Sequence, residues 1–475
     1  MSTPQVRTTP IPGLLEVSLP VHQDARGWFK ENWQRAKMVA LGLPDFQPVQ
    51  HSVAFNEAAG TTRGVHAEPW DKLVSVASGR ALGLWVDLRA GPTFGAVHTA
   101  ELNPATAVFV PRGVGNAYQT LAEGVVYSYL VNAHWSPDAA YTHLNLADEH
   151  LRGRWPIPLE QAIISDKDRD HPHLDQVQPI APPRTLILGA NGQLGRALLD
   201  QLPGAHGLAR SDLDLTSPER VAAYDFSDVA TVINAAAFTA VDAAETPDGR
   251  RAAWATNATG VAALAQAARR HRFTLVHYST DYVFEGAGGS GPGGAYRETD
   301  PIGPLNVYGQ SKAAGELAVQ HTPQHYLIRT SWVLGQGHNF VATMHALAGR
   351  GAKPAVVDDQ LGRLTFAPDL ARATAHLLTT AADWGTYHVT NSGEPATWAQ
   401  IAREVFQHAG ANPDDITPVS TAEYAAQTGK HHSNPNQAPR PSSSVLDLTK
   451  LQSTGLHMRD HRLALRHYLH TLRGQ

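Results

Sequence analysis

The sequence predicts two domains of different class in one chain. An all-β unit covers residues 1–170, a linker covers 171–183, and an α/β unit built on a parallel sheet covers 184–475. Three observations carry this. Residues 73–76, 81–88, 107–110 and 125–131 are short apolar or alternating runs broken by Gly and Pro, the period-two texture of strands. The stretch HPHLDQVQPIAPP, ending at Pro183, has no periodic apolar pattern. From Arg184 onward, apolar strands alternate with Ala- and Leu-rich helical segments, at 185–188, 194–202, 229–234, 256–271 and 274–277. That order builds a parallel sheet with crossover helices.

Composition bounds the function. At 475 residues the chain has room for about three compact units. Its 42 % hydrophobic and 17 % charged residues suit packed cores and exclude a disordered chain. The net charge of −5 leaves no basic surplus for a run of phosphates, so no nucleic-acid partner is expected. Cysteine is absent, which excludes disulfides, thiolate metal sites and a cysteine nucleophile. The N-terminus lacks a signal-peptide layout and no apolar run reaches bilayer length, so the expectation is a cytoplasmic protein without a membrane partner. The 25 histidines are scattered without metal-ligand spacing, and no metal is expected.

In the β half, Arg63-Gly-Val-His66 precedes Asp71-Lys72, and Tyr127, Tyr129 and Asp148 follow. A histidine, a lysine, a tyrosine and an aspartate suffice for proton abstraction beside a ketone: base, enolate stabiliser, opposite-face acid and imidazole orienter. Spacing alone does not assign them, since any β domain contains such residues.

In the α/β half, the first strand runs into Gly189-Ala-Asn191-Gly192-Gln193-Leu194-Gly195 and then a helix. Such a turn lets backbone N–H groups and a helix N-terminus meet a pyrophosphate. About 20 residues on stand Arg210 and Asp214, where a ribose is gripped. Arg210 either pairs with a 2′-phosphate or lies in solvent, so NADPH and NADH both stay open. Ser279-Thr280 ends a strand, and Tyr308 and Lys312 sit four apart, on one helix face. There the ammonium is expected to lower the phenol's pKa from about 10 toward neutrality.

These residues place the α/β half by resemblance. Together with Asn234-Ala235-Ala236-Ala-Phe-Thr-Ala-Val-Asp242, STDYVF at 279–284, Glu298-Thr-Asp, Pro304-Leu-Asn-Val-Tyr-Gly, Gly315-Glu316, Arg329-Thr-Ser-Trp-Val, Asp359-Gln-x-Gly and Arg440-Pro441, they resemble the extended short-chain dehydrogenase/reductases, specifically the dTDP-4-dehydrorhamnose reductases. The resemblance implies a Rossmann-type doubly wound sheet with a small substrate-binding lobe. It implies Thr280, Tyr308 and Lys312 as the catalytic set and Trp332 and Arg440 near the sugar nucleotide. NADPH or NADH would sit on Gly189, Asn191, Gly192, Gln193, Leu194, Gly195, Arg210, Asp214, Ala235, Ala236, Tyr308 and Lys312. Ala197 stands where some members hold a magnesium-binding glutamate, so that metal is not carried over. The loop at 286–294 is unusually glycine-rich, equally consistent with a flap over the sugar and with a plain surface loop.

The β half is similar to the dTDP-4-dehydrorhamnose 3,5-epimerases, a cupin-like barrel family. The similarity rests on Asp24-x-Arg26-Gly-Trp-Phe29-x-Glu31, Arg63-Gly-Val-His66, Lys72-Leu-Val, Asp87-Leu-Arg-x-Gly-Pro-Thr-Phe-Gly95, Val110-Pro-Arg-Gly-Val and Ile164-Ser-Asp-Lys-Asp168. It implies His66 as base, Asp148 as its partner, Lys72 at the enolate oxygen and Tyr129 as proton donor. Tyr127 and Tyr129 share a strand face, and distance to Ser136-Pro137 favours Tyr129. Arg26, Phe29, Glu31, Gln50, Arg63 and Asn116 would hold the substrate. Two departures bear on the pocket: the family's His-Tyr/Phe-Gln is His66-Ala-Glu68 here, and a second histidine is Asn116.

The expected function is therefore a bifunctional enzyme acting on a dTDP-sugar. It would epimerise dTDP-4-dehydro-6-deoxy-D-glucose at C3 and C5 and then reduce C4, giving dTDP-L-rhamnose. Barrels of this type pair through their β edges, which implies a homodimer. The alternatives are a reductase-only or C3-only variant making another 6-deoxysugar, and a non-catalytic sugar-nucleotide-binding subunit.

Overall fold

The computed structural model describes residues 4–137, 139–431 and 437–473. It divides into two compact units, residues 1–182 and 183–475.

In the first unit, strands Gln5–Thr8, Leu15–Ser18, Thr106–Val110, Lys72–Ser78, Val125–Val131 and Gln50–Asn56 form an antiparallel sheet in that spatial order. A second antiparallel sheet runs Thr142–His143, Thr62–Ala67, Val114–Thr120, Ala81–Asp87, Val97–Leu102. Alternation decides which side chain goes where. Val74, Val76, Val108, Trp85, Tyr118 and Tyr127 fill one core between the sheets. Their strand neighbours Leu73, Ala107 and Phe109 face outward, under Met38 of the helix Arg35–Ala40.

Residues 171–180, expected as a linker, instead close the first unit. Leu174 and Val177 are buried against Val65, Leu84, Leu88 and Leu151. Ile180 adds a backbone ladder to residues 88–90, with Ile180 N donating to Leu88 O and Ala90 N to Ile180 O. Three apolar residues spaced three apart cover the outer face of the five-stranded sheet, a pattern too sparse to read as an element.

The second unit holds a six-stranded, all-parallel sheet in the order His206–Leu208, Arg184–Leu188, Val229–Asn234, Thr274–Thr280, His325–Thr330, Gly385–His388. Both faces are covered, so the central strands carry apolar residues on both sides. Ile187, Ile233, Val276 and Ile328 pack on helices Gln193–Gln201 and Ala367–Thr379. Leu186, Val232, Leu275 and Leu327 pack on Gly260–His271 and on Val319 of Val307–Gln320. A separate cluster around Val341, Phe366, Ile401, Phe406 and Leu465 forms the smaller lobe. A π-turn at Ala255–Thr259 precedes Gly260–His271. Gly315 sits against it, where a Cβ would stand 2.2 Å from Asn257 O, so the helix carrying Tyr308 and Lys312 comes in close.

Candidate active sites

In the β unit, His66 lies on Thr62–Ala67, with Asn116 and His143 as its cross-strand partners on either side. Its Nε2 is 3.0 Å from Oδ1 of Asp168, not Asp148. Ser165 caps the short helix Asp166–Arg169 and turns Asp168 back toward the sheet, where its second oxygen accepts Gly64 N–H at 3.2 Å. Burial works to raise the Asp168 pKa, but the contacts with His66 and Gly64 prevail and hold it below the ordinary carboxylate value.

Asp148 is committed elsewhere, which corrects the expectation that it orients His66. It caps the turn Glu149–Leu151 and accepts from His150 N at 2.9 Å and Leu174 N at 2.7 Å, with the His150 and His173 rings beside it. Its task is to fasten residues 171–177 to the unit. Asp168 was legible as part of the quoted Ser-Asp-Lys-Asp motif, but nothing in the spacing joins it to a histidine 102 residues away.

Lys72 is buried and ion-paired with Glu68, the residue that departs from the family's glutamine. Its ammonium stands 5.2 Å from the centroid of the Tyr129 ring. Tyr127 and Tyr129 differ in surroundings. Tyr127 is fully buried, stacks on Tyr118 at 4.0 Å and donates to Asn116 Oδ1, whereas Tyr129 is half-buried.

Asn116, expected as a substrate contact, also accepts from Trp85 Nε1 at 2.9 Å, so its carbonyl braces the core. Arg63 donates to Asn56 Oδ1 at 3.3 Å, and Gln50 bonds Ser52 and the backbone N–H of Trp135. Arg26 and Phe29 are exposed on the hairpin His22–Asp24/Gly27–Phe29, where Arg26 pairs with Asp24, and Glu31 pairs with Lys37. Among the described residues these three touch none of the groups around His66.

In the α/β unit the glycine turn is built for close approach. Gly189 has φ +74°, and a Cβ on Gly195 would stand 2.2 Å from Gly189 O. Gly192 precedes the helix Gln193–Gln201 without a side-chain cap, leaving its first N–H groups open to an anion. One cavity of about 360 Å³ joins Gly189, Asn191, Gly192, Arg210, Asp214, Ala235 and Ala236. Another of about 550 Å³ joins Gln193, Leu194, Thr280, Tyr308, Lys312 and Trp332. Gly192, Gln193, Leu194 and Ala235 thus share a cleft with the Thr-Tyr-Lys set, while Gly189, Asn191, Arg210, Asp214 and Ala236 line the other cavity. Asp214 accepts from Thr216 N and Oγ1 and is 3.3 Å from Arg210 Nε, while Arg210 is 77 % exposed.

Thr280 donates to the buried Asp281 at 2.9 Å, accepts from Tyr282 N at 3.2 Å and lines the same cavity as Tyr308. Burial pushes Asp281 up to about 6, against the pull of Ser444 and Thr280. The expected tuning of Tyr308 by Lys312 is corrected. Burial first, and the Asp281 charge second, push the phenol above its ordinary value. The Lys312 ammonium faces the other way, donating to Tyr278 O at 2.5 Å with His277 Nε2 at 3.3 Å, and burial lowers it to about 8.

A third cavity of about 740 Å³ includes Asp242, Tyr282, Phe340, Trp398 and Arg440. Arg440 donates to Asp242 at 2.9 Å. Trp332, at φ +45°, stacks on Trp398 at 3.7 Å, contact that holds a backbone conformation a side chain of this size rarely adopts. Asp281 and Tyr282 stood in the STDYVF motif without a role, and Trp398 was not singled out, since only folding brings it to Trp332. The glycine-rich loop is tied down: Gly289 N donates to Gly294 O, Gly291 N to Ala295 O, Ser290 to Asp300, and Ser442 Oγ to Gly286 O.

Among the described residues no helix is long and apolar enough to cross a membrane. The model of the RmlD substrate binding domain matches residues 183–473, and that of dTDP-4-dehydrorhamnose 3,5-epimerase matches 8–176. A protein RmlC homolog of Streptococcus pyogenes is 48 % identical over 36 % of this chain and 90 % of its own length. A dTDP-4-dehydrorhamnose reductase of Aggregatibacter actinomycetemcomitans is 39 % identical over 60 % of this chain and 97 % of its own. The crystal structure of a dTDP-4-dehydrorhamnose reductase from Bacillus anthracis in complex with NADP is 33 % identical, covers 60 % of this chain and 98 % of that one, and superposes with a TM-score of 0.54. With both matches in one polypeptide, the chain belongs to the RmlD substrate-binding-domain family over its larger part and to the dTDP-4-dehydrorhamnose 3,5-epimerase family over its N-terminal part, an epimerase and a reductase fused.

Proposed function

We propose that this chain makes dTDP-L-rhamnose from dTDP-4-dehydro-6-deoxy-D-glucose in two steps, epimerisation at C3 and C5 and then reduction at C4. The observation that carries the reading is the presence, in one chain, of a His66–Asp168 pair in the β unit and, in the α/β unit, of Thr280, Tyr308 and Lys312 on one cavity with Gly192 and Gln193 of the glycine turn. The first unit we read as a cupin-like barrel formed by its two sheets.

The 4-keto group acidifies C3–H and C5–H. With Nε2–H donated to the Asp168 carboxylate, His66 keeps a lone pair on Nδ1, and the imidazolium that forms is met by a negative charge. Lys72 stabilises the enolate oxygen, with Glu68 holding the ammonium in place. Tyr129, half-buried where Tyr127 is sealed in the core, returns the proton from the opposite face. Arg26, Phe29, Glu31, Gln50 and Arg63 remain the candidates for the nucleotide part.

In the second unit the glycine cradle, which a Cβ at 195 would fill, fits a dinucleotide pyrophosphate on the helix N-terminus. NADPH supplies the hydride when bound, and exposed Arg210 is the group for its 2′-phosphate. Tyr308 gives its proton to the C4 oxygen while Thr280 hydrogen-bonds it. The upward-shifted phenol stays protonated for that task at neutral pH. Trp332 and Arg440 flank the sugar nucleotide. Removal of the epimerised ketone by reduction draws the first step forward.

The test is incubation with dTDP-4-dehydro-6-deoxy-D-glucose in D2O without cofactor, then with NADPH. Deuterium at C3 and C5, followed by dTDP-L-rhamnose, is the expected outcome. Label at C3 alone identifies a different 6-deoxysugar, and no label refutes the epimerase assignment. NADPH oxidation undiminished in Tyr308→Phe refutes the assignment of Tyr308 as the proton donor.

A further inference from the structure

Three histidines from distant parts of the chain meet in the first unit. His66 and His143 are directly opposed across two strands, and His171 follows the helix that carries Asp168. Ring centroids lie 5.4 Å apart for His66 and His143, 5.3 Å for His66 and His171, and 4.4 Å for His143 and His171. One nitrogen of each falls within 4.8 Å of the other two. An Asp168 oxygen stands 3.0 Å from His66 Nε2 and 3.9 Å from His171 Nε2.

Two facts separate this cluster from ordinary packing. The His171 side chain is only 6 % exposed, and neither of its ring nitrogens has a hydrogen-bond partner. A buried polar ring left so costs stability unless something it can bind enters the site. The donor set is also chemically coherent: three imidazoles and one carboxylate suit a borderline divalent cation such as zinc. Tetrahedral ligands about 2.05 Å from zinc stand about 3.3 Å from each other. Closing the present spacing to that value takes ring movements on the order of an ångström, and His143, half-buried in the two-residue edge strand Thr142–His143, is the less enclosed of the pair it forms with His171.

We propose that His66, His143 and His171, with Asp168 alongside, form a binding site for a zinc-class divalent cation, and that the bound ion takes the lone pair His66 needs as a base. The second clause rests on the epimerase reading; the binding site does not. The ion would act as an off-switch on the first step and leave the second untouched, because every reductase group named above lies in the other unit.

The test uses the full chain, freed of metal by chelation and titrated with zinc by calorimetry and with cobalt(II) by visible absorption. His143→Phe serves as the variant, since phenylalanine keeps a ring in the stack and removes the ligand. Wild type is expected to bind one ion more per chain than His143→Phe, or to bind it at least about tenfold more tightly. Identical titrations overturn the site. Without nicotinamide, zinc should suppress deuterium exchange into dTDP-4-dehydro-6-deoxy-D-glucose in wild type, while His143→Phe exchanges at the metal-free rate with or without zinc. Full exchange by zinc-saturated wild type overturns the blocking of His66. If metal-free wild type exchanges nothing, the epimerase reading has failed, and the titration still decides the metal site.

Discussion

Two aspartates with opposite duties separate chemistry from structure at the residue scale. Asp168→Asn should lower cofactor-free deuterium exchange by about 10²- to 10⁴-fold, since the amide neither fixes the His66 tautomer nor meets the imidazolium charge. Asp148→Asn should leave exchange near wild type and lower stability by about 1–3 kcal/mol, because its carboxylate serves backbone N–H groups at 150 and 174. Measuring exchange and denaturant midpoints on both variants tells the two roles apart. Asp281 makes a third case. Its folded pKa, about 6, lies above the ordinary 3.8, so the folded state binds the proton more tightly. The associated stability is complete below pH 3.8 and is lost as pH rises through 6. For a fully buried group the loss is on the order of 2–3 kcal/mol. Asp281→Asn should flatten the stability profile between pH 4 and 7 and raise the melting temperature at pH 8; an unchanged profile would rule out Asp281 as its source.

Close backbone approach does the positioning at the scale of elements. Gly195 packs the helix Gln193–Gln201 against the turn at Gly189, and a methyl group there would sit 2.2 Å from a backbone oxygen that has no free space to yield into. Gly195→Ala should therefore cost about 1–3 kcal/mol and weaken NADPH binding together with stability, read by fluorescence titration and melting. An effect confined to melting would mean that the turn does not meet the cofactor. The helix Val307–Gln320 shows how far a sequence argument reaches. The four-residue spacing of Tyr308 and Lys312 put both on one face, yet whether the ammonium tunes the phenol depended on what else was near it. The Tyr278 carbonyl and His277, 34 and 35 residues upstream, draw the ammonium away.

Two units of unlike class share the chain, and the whole-molecule predictions address each alone. A ligand that binds only one unit stabilises only that unit. Calorimetry should resolve two transitions, with NADPH raising the melting temperature of one and leaving the other in place; a single transition shifted as a whole would show that the units unfold together. The strand Gln50–Asn56 lies at the edge of its sheet with Val53 and Phe55 more than half exposed, and it is our candidate for the homodimer contact. Phe55→Lys should reduce the mass measured by light scattering from two chains to one, and a wild type already at one chain would end that proposal.

Sequence by itself determined what is local or periodic. The change from alternating β runs to strand-helix alternation, the glycine turn, the Tyr-Lys spacing and the motif series all depend on neighbours within a few residues, and they were enough to identify an epimerase-like and a reductase-like half. Tertiary structure decided what depends on groups far apart in the chain. Asp168 rather than Asp148 reaches His66, Glu68 pairs with the buried Lys72, residues 171–180 complete a domain, and three scattered histidines converge. The physical reason is the same in each case. Hydrogen bonds, ion pairs and burial act over a few ångströms in space, and only the folded chain sets which residues come within that distance.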